Sequence, residues 1–399
     1  TEDPVGTEGL IYEQLEYRPD YAVVGYEGDS ENIVVSATYN GMPVTTIKTG
    51  ALCDLAIESI ELPDTITCLE QDSIDGSCLL EFTIPKNLYY FAQAFGSERS
   101  HLDFIVPEDH AYFKEVLICE HEAVVSKDET VLLAVVKKDI YDKNFDFTLP
   151  DTYKEIAPYA FSGVQFKDMN IPESVDTIDS YAFAFVNASS ITIISPIETI
   201  ERYTFYSVRC PEIVLPDTVE EIKEMAFYNA RIKSFDFPTG CKTIGEKAFY
   251  SSYLTGELIL PEGLETIGSK AFNDCYLTSI VFPSTLTDMS TEIFGNNEYG
   301  FGWNAVRSIR FNNISFTDMD LVDYFYQCIL NNYTTSDDSG RIIKIYPVGI
   351  TIILPQDPTE AVILETAFRE AWGRCIDPSG ASPYKNYTED AFIFESASE

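Results

Sequence analysis

Basic residues and histidines are scarce in this chain of 399 residues. Lys and Arg together number 26 against 65 Asp and Glu, which gives a formal net charge of −39, and only three residues are His. A chain this acidic repels polyphosphate and anionic lipid headgroups, so we expect neither nucleic acid nor an anionic membrane as a partner. The scarcity of His removes the commonest general base and metal ligand from most of the chain, which argues against an enzyme.

The sequence also lacks the motifs that usually mark a catalytic or cofactor site. No two of the nine cysteines form a CxxC pair, and no GxGxxG or Walker loop follows a predicted strand. His101, His110 and His121 lie near Cys119, but their spacing matches no metal motif, so we expect solvated loop residues there. We therefore predict no catalytic residue, no metal and no other cofactor.

Long apolar runs are missing as well, and none reaches the length that a transmembrane helix needs. The chain opens on TEDPVGTEG with neither Met nor a signal peptide, so we expect a leader to be missing from the given chain. Hydrophobic residues nevertheless make up 45% of the chain. This is enough for a large core, built either as two or three globular domains or as one long repeat array.

An internal repeat decides between these two possibilities. Residues 216–227 read PDTVEEIKEMAF, residues 261–272 read PEGLETIGSKAF, and five further segments between 150 and 294 follow the same pattern. Their closing Phe recurs at steps of 22 residues, with a single step of 23 between Phe249 and Phe272. The closing residues are Phe161, Phe183, Phe205, Phe227, Phe249, Phe272 and Phe294.

Each repeat contains the residues of one short strand and one turn. An alternating stretch such as Ile213/Leu215 precedes the Pro, which cannot donate to a ladder and so ends the strand. Apolar residues follow three and six positions after the Pro position, and in most units Ala-Phe closes the unit with a side chain whose burial contributes roughly 2–3 kcal/mol; the third unit is the least regular, with its Pro displaced to Pro196. Cys241 and Cys275 stand where other repeats have Val, Leu or Ala, so we expect small buried hydrophobes and no disulfide.

Units of this kind bury their flat sides only when neighbours stack on them, and stacking produces a solenoid. A period of 22 residues lies within the leucine-rich-repeat range. We therefore predict a leucine-rich-repeat solenoid, a right-handed superhelix of β-strands and short helices with parallel strands on one face.

The repeat pattern LPxxLxxIxxxAF resembles the BspA-like leucine-rich repeats of bacterial surface proteins. Residues 9–52 resemble the β-hairpin N-terminal cap of that family, with Asn40-Gly41 as a type I′ hairpin turn. Residues 102–149 resemble its long repeat, which carries an extra hairpin at 124–136. The resemblance implies the solenoid fold and a protein of the bacterial surface.

The C-terminal end carries the signals of a helix. Asp357 as N-cap, Pro358 and Glu360 begin it, Gly373 ends it, and we expect it to cover the open end of the stack. The alternative is a final degenerate repeat, and residues 374–399 read as a polar, loosely held tail. The predicted organisation is a cap with a first degenerate repeat (1–52), irregular repeats with an extra hairpin (53–149), regular 22-residue repeats (150–294), long degenerate repeats (295–356) and a C-terminal cap helix with a tail (357–399).

The outward residues of the strands predict a binding surface, because in a solenoid they line one continuous face. Three apolar residues on this face are bordered by three acids, and an exposed apolar strip with a polar rim is typical of a partner surface. The alternative is that β-branched residues simply suit strands. The predicted partner-binding face consists of Val214, Asp236, Ile259, Val281, Glu212 and Glu257.

The function that the resemblance implies is adhesion. We expect a non-catalytic, monomeric bacterial protein, either secreted or attached to the outer surface as a lipoprotein, that binds host extracellular-matrix or bacterial surface proteins. The alternative is a periplasmic or surface structural scaffold, or a glycan-binding repeat protein. The −39 charge favours a partner that offers cationic or hydrophobic groups.

Overall fold

The computed structural model describes residues 5–91, 93–95, 102–136, 145–290, 293, 308–312, 334–336, 342–344, 350–375 and 392–396. The chain divides into two compact units, Thr1–Ala188 (unit 1) and Ser189–Glu399 (unit 2). Short strands account for nearly all regular structure in the described residues, as expected where β-branched stretches are interrupted by a Pro in each regular repeat.

Unit 1 contains the N-terminal cap, the irregular repeats and the first regular repeats. Its strands in the described residues are β1 (Leu10–Gln14), β2 (Tyr21–Tyr26), β3 (Asn32–Val34), β4 (Thr38–Tyr39), β5 (Met42–Ile47), β6 (Ser59–Glu61), β7 (Cys68–Leu69), β8 (Glu81–Thr83), β9 (Asp103–Ile105), β10 (Phe113–Ile118), β11 (His121–Ser126), β12 (Val131–Val135), β13 (Phe147–Thr148), β14 (Glu155–Ile156), β15 (Asp168–Ile171) and β16 (Thr177–Ile178).

Hairpins begin unit 1, as predicted for the cap. Strands β1 and β2 pair antiparallel, β2 pairs parallel with β5, and β4 and β5 form a second hairpin. Asn40 and Gly41 in its turn have φ values of 50° and 77°, the left-handed values that a type I′ turn requires. Val23, Val44 and Ile47 from this sheet are fully buried in the core of the unit.

The extra hairpin of the long repeat is present and consists of β11 and β12, which pair antiparallel. Asp128 closes its turn, since its Oδ1 accepts hydrogen bonds from the Thr130 backbone N–H at 3.2 Å and from the Thr130 hydroxyl at 2.8 Å. These bonds, together with one from the Ser126 hydroxyl, lower the pKa of Asp128. Strand β12 then pairs parallel with β14, which attaches the hairpin to the repeats that follow.

The expectation of solvated histidines in this region is wrong. His110 is fully buried, its Nδ1 accepts hydrogen bonds from the backbone N–H of Tyr112 and Phe113 at 3.1 and 3.0 Å, and its ring stacks on that of Phe113. Burial lowers the pKa of His110 because it disfavours the charged form. His121 lies in β11 with its ring 3.9 Å from that of Phe145, between centroids. His101 lies outside the described residues.

Unit 2 contains the remaining regular repeats and the C-terminal part of the chain. Its described elements are β17 (Ser190–Ile193), β18 (Thr199–Ile200), β19 (Glu212–Val214), β20 (Glu221–Ile222), β21 (Thr243–Ile244), β22 (Thr255–Ile259), β23 (Thr266–Ile267), β24 (Tyr276–Phe282), β25 (Asp288–Met289), β26 (Ser308–Phe311), β27 (Thr334–Ser336), β28 (Ile342–Lys344), β29 (Ile350–Leu354), the helix α1 (Pro358–Cys375) and β30 (Phe392–Ser396).

In unit 2 the residues that follow the Pro position form a parallel sheet of their own, separate from the strands that precede the Pro. The predicted solenoid is confirmed. Strands β18, β20, β21, β23 and β25 pair in parallel, one from each successive repeat, and we call them the Thr-Ile sheet. In the described part of these repeats a two-residue strand and a run of turns stand where the sequence predicts a short helix. A β-branched residue at the same position of successive repeats favours this pairing.

Besides the strands before and after the Pro position, the Ala-Phe step also connects each repeat to the next. Phe227 and Phe249 are fully buried, and their rings stack 4.8 Å apart and almost parallel. The backbone N–H of Phe227 donates to the carbonyl of Ala248 at 2.7 Å. The residue before Ala is left-handed, with φ of 56° at Met225 and 52° at Lys247, which lets the chain turn sharply at some cost in backbone strain.

The two repeat cysteines are small buried residues, as predicted. Cys241 and Cys275 are fully buried, and burial raises the pKa of both thiols to about 12. The Cys275 thiol donates a hydrogen bond to the carbonyl of Phe249 at 3.3 Å. All cysteines whose state the described residues define are free.

The C-terminal helix α1 begins where the sequence predicts it. Asp357 Oδ1 accepts hydrogen bonds from the backbone N–H of Thr359 at 2.8 Å and of Glu360 at 3.1 Å, and Leu364 and Phe368 are fully buried. The expectation of a loosely held tail is wrong for residues 392–396. They form β30, which pairs parallel with β29 and extends that sheet beyond the helix, as the alternation in FIFES permits.

Candidate functional site

The strand face of unit 2 is the outward side of the strands that precede the Pro position. On β17 and β19, Ser190 lies opposite Glu212 and Thr192 opposite Val214. Later strands continue the pattern, and parallel pairing places side chains of successive repeats about 4.8 Å apart. One such row runs through Ile259, Val281, Arg310, Ile353 and Glu395.

This face is interrupted, whereas the sequence predicts a continuous one. Strands β19 and β22 are each the last strand of their sheet, and residues 234–237 between them join neither. The interruption falls at the single 23-residue step, where Gly256 has a φ of 78° and the β22–β24 ladder has a bulge that shifts its register between Gly256 and Glu257. The Thr255 N–H donates to the carbonyl of Lys233 at 3.0 Å, and past this bond no backbone hydrogen bond joins residues 234–237 to β22.

A groove of ≈ 580 Å³ opens at this interruption. Its volume is within the range of ligand-binding pockets. Buried apolar side chains form its floor, and exposed residues, three of them carboxylates, border it. The lining residues are Ser234, Phe235, Asp236, Phe237, Thr239, Leu254, Thr255, Glu257, Leu258, Ile259, Pro261, Glu262 and Leu277.

The structure brings the six predicted face residues together only in part. Ile259 and Val281 are direct neighbours in the β22–β24 ladder, and Ile259 is 61% exposed whereas Val281 is half-buried. Asp236, Glu257 and Ile259 line the groove. Val214, which is 43% exposed, and the exposed Glu212 lie on β19, one repeat before the unpaired segment.

In the described residues, the acids that border the apolar side chains of this face are not paired with basic side chains. Glu212, Asp236 and Glu257 are exposed, and their side chains make no hydrogen bond or ion pair in the described part of the chain. The thirteen lining residues include three carboxylates and no Lys, Arg or His. The negative field of these groups is therefore directed at solvent and at whatever binds there.

Glu262 differs from the other acids because its carboxylate is held in place. It accepts hydrogen bonds from the Asn312 side-chain amide at 2.8 Å, from the Ser284 hydroxyl at 2.8 Å and from the Ser284 backbone N–H at 3.0 Å. Partial burial acts to raise the pKa of Glu262, but these three hydrogen bonds outweigh it and hold the pKa below its ordinary value. The carboxylate thus stays charged at one end of the groove.

Two features of this face were missed by the sequence argument. Arg310 and Ile353 continue the row of Ile259 and Val281, because the degenerate repeats at 295–356 still supply strands β26 and β29. The alternation in SIRF and ITIIL is the signal that identifies them. The groove also has a sequence signal, which is the single 23-residue step in an otherwise regular period.

What this site offers chemically is apolar contact, carboxylate charge and unpaired backbone groups. In the described residues no group of three or more His, Cys, Asp or Glu side chains is placed to hold a metal ion. Nor does any helix there combine the length and the apolar character needed to cross a membrane.

Short parallel strands stacked at a 22-residue period, with a Phe stack behind them, define a leucine-rich-repeat solenoid. The family model of the BspA type leucine rich repeat region matches residues 32–120, 141–255 and 181–300 in six copies, which together span more than half of the chain. The protein belongs to this family. A search of curated proteins gave no match.

Several solved structures are similar to this chain, all at low identity. A leucine-rich repeat protein from Bacteroides ovatus ATCC 8483 is 17% identical with a TM-score of 0.42, and the match covers 77% of this chain and 71% of that one. A leucine rich cell surface protein from Faecalibacterium prausnitzii A2-165 is 16% identical, TM-score 0.35, over 82% and 97% of the two chains. The pneumococcal vaccine antigen PcpA is 15% identical, TM-score 0.36, over 91% and 96%.

Proposed function

We propose that this protein is a non-catalytic binding module of the bacterial surface or of the secreted fraction, which attaches to host extracellular-matrix proteins or to surface proteins of other bacteria. Membership in the BspA-type family supports the repeat-protein role. We further propose that the protein is a monomer and that its precursor carries a leader peptide, as a lipoprotein does.

The observation that carries the proposal is the composition of the strand face in unit 2. Val214 and Ile259 are large apolar residues with 43% and 61% of their surface exposed, and carboxylates without countercharge stand beside them. Apolar residues bordered by polar groups characterise protein-binding surfaces more than free surfaces. We therefore assign partner binding to Val214, Ile259 and Val281 with Glu212, Asp236 and Glu257.

A double substitution tests this assignment. V214K/I259K places two cations in the apolar strip, so we expect at least about a tenfold loss of affinity for the partner, with an unchanged melting temperature because both side chains are exposed. The readout is capture of the intact chain by an array of purified extracellular-matrix proteins, fixed bacterial cells and glycans.

The chain offers a matched control on helix α1. Val362 and Ile363 are 64% and 50% exposed, so V362K/I363K makes the same chemical change away from the strand face. This variant should bind as the unmodified protein does. Equal binding by V214K/I259K would discard the strand face, and capture by glycans alone would replace the protein partner with a carbohydrate.

A further inference from the structure

Residues 234–237 show the side-chain alternation of a strand but lack the backbone hydrogen bonds that would pair them with a neighbouring strand. Phe235 is buried and Phe237 half-buried, whereas Ser234 and Asp236 are exposed, which is the alternation of a strand with one face on the core. The backbone N–H groups of Phe235, Asp236 and Phe237 donate no hydrogen bond within the described residues. The equivalent strands β19, one repeat earlier, and β22 and β24, one and two repeats later, each have a parallel partner.

Strand β22 on the opposite side of the groove is an edge strand. It pairs with β24 along one side only, and its other side opens onto the groove. Donors and acceptors that are unpaired along an edge form a template for an additional strand, and extended peptides bind many proteins in this way. Beneath this edge the buried side chains of Leu254, Leu258 and Leu277 provide an apolar floor for alternate side chains of such a peptide.

The charges of the groove specify what kind of peptide fits. Asp236 and Glu257 are exposed on its two sides, and Glu262 is held charged at its end by Asn312 and Ser284. None of the lining residues is cationic. A segment that alternates apolar and basic side chains would place the apolar ones on the floor and the basic ones near the carboxylates, whereas an acidic segment would be repelled.

We propose that this groove binds an extended, Lys- or Arg-containing segment of a partner protein, which adds to the free edge of β22 as an extra strand. The inference rests on the proposed function, since it names the kind of partner that the strand face takes. It also gives a role to the 23-residue step, at which the ladder of the strand face is interrupted.

The experiment measures fluorescence polarisation of labelled peptides with the intact chain. The cationic peptide KVKVKVK should bind, with affinity that falls as salt rises, and the acidic peptide EVEVEVE should not. Two further forms of KVKVKVK are N-methylated, one at the odd-numbered and one at the even-numbered residues. Each keeps the charge of the peptide but loses the N–H donors along one of the peptide's two edges. At least one of them should lose about tenfold or more in affinity, because strand addition depends on those donors.

Variants locate the peptide on the protein. D236N/E257Q removes two rim charges without changing side-chain size and should weaken KVKVKVK about tenfold. The control E198Q/D288N also removes two exposed charges from unit 2, but Glu198 precedes β18 and Asp288 lies in β25 of the Thr-Ile sheet. It should leave the affinity for KVKVKVK unchanged apart from a small general charge effect. Equal weakening by both variants, or equal binding of both methylated peptides and the parent, would overturn the proposal.

The outcome also separates this inference from the function on which it rests. If V214K/I259K loses the partner while D236N/E257Q keeps it and KVKVKVK does not bind, the strand face binds partners and the groove proposal is wrong. If KVKVKVK binds as described but no array protein is captured, the groove proposal holds and the adhesive function is wrong.

Discussion

The strands of the strand face and those of the Thr-Ile sheet come from the same repeats of unit 2, yet only the strand face is interrupted at the 23-residue step. The Thr-Ile sheet continues from β18 to β25 across the irregular step, with Gly245 N–H donating to Ile222 at 2.7 Å and Gly268 N–H to Ile244 at 2.8 Å. The sheet of the strand face stops at β19 and begins again at β22. The 23-residue step therefore coincides with a break on the strand face and leaves the Thr-Ile sheet continuous.

The interruption affects the backbone hydrogen bonds of residues 234–237 and leaves the packing behind them intact. The Phe stack is continuous from Phe205 to Phe272, with ring centroids 4.8 to 5.5 Å apart, and the ring centroid of Phe235 lies 5.0 Å from those of Phe227 and Phe249. On the strand face the displaced residues border solvent, and water can satisfy their backbone groups. Because the strand face can give up backbone pairing at little cost in stability, it can also form a binding groove.

The largest effect is expected from removing a ring of the continuous stack. F227A should reduce the free energy of unfolding by about 3–5 kcal/mol, because Phe227 is fully buried between Phe205 and Phe249. F235A, beside the groove, should lose only about 2–3 kcal/mol, because its cavity can fill with solvent. Urea unfolding of both variants measures the difference. A larger loss for F235A would show that the groove side holds the fold together.

A smaller effect is expected from the tight contact between Thr-Ile strands. In G268A the new Cβ would lie 2.5 Å from the backbone N of Glu246 and 2.7 Å from the carbonyl carbon of Gly245, so we expect a loss of about 1–3 kcal/mol. G256A is the control at the bulge, where no atom lies within 4 Å and only the positive φ opposes Ala, at about 1 kcal/mol. Thermal unfolding ranks the two, and the reverse order would mean that the bulge is the more constrained site.

The smallest effect concerns the pH dependence of Glu262 at the end of the groove. Its pKa is lowered in the folded chain, so its contribution to stability is present above the ordinary Glu pKa of about 4.3 and is lost as pH falls through the folded value. In E262Q the drop in melting temperature between pH 6 and pH 3.5 should shrink, by an amount equivalent to at most about 1 kcal/mol after screening. An identical pH profile would show that the contacts with Asn312 and Ser284 do not stabilise the charged form.

Most of the fold follows from the sequence because the repeat is dominated by burial. Phe161, Phe183 and the corresponding residues are identifiable by period alone, and the caps by turn and N-cap chemistry at Asn40-Gly41 and Asp357. The Thr-Ile strands were not predicted, since two residues give no alternation to detect. Strand β30 was missed because it follows a polar stretch that hides its register with β29.

The candidate site was predictable in composition but not in geometry. The exposure of Val214 and Ile259 follows from the alternation of their strands. The loss of pairing at residues 234–237 does not, because it depends on how the backbone distributes one additional residue between Lys233 and Gly256. His110 was misjudged for a related reason: its burial comes from packing on Phe113, which no local pattern records.

Hydrogen exchange of individual amides, with and without KVKVKVK, tests the central claim most directly. The amides of Phe235, Asp236 and Phe237 should exchange almost as fast as in an unfolded chain, while those of Lys223 and Gly245 in hydrogen-bonded positions are protected by about a thousandfold or more. Addition of the peptide should slow exchange along the edge of β22, at Glu257 and Ile259, and leave Lys223 and Gly245 as they were. Protection of Phe235–Phe237 equal to that of Gly245 without peptide, or no change at β22 with it, would contradict the account.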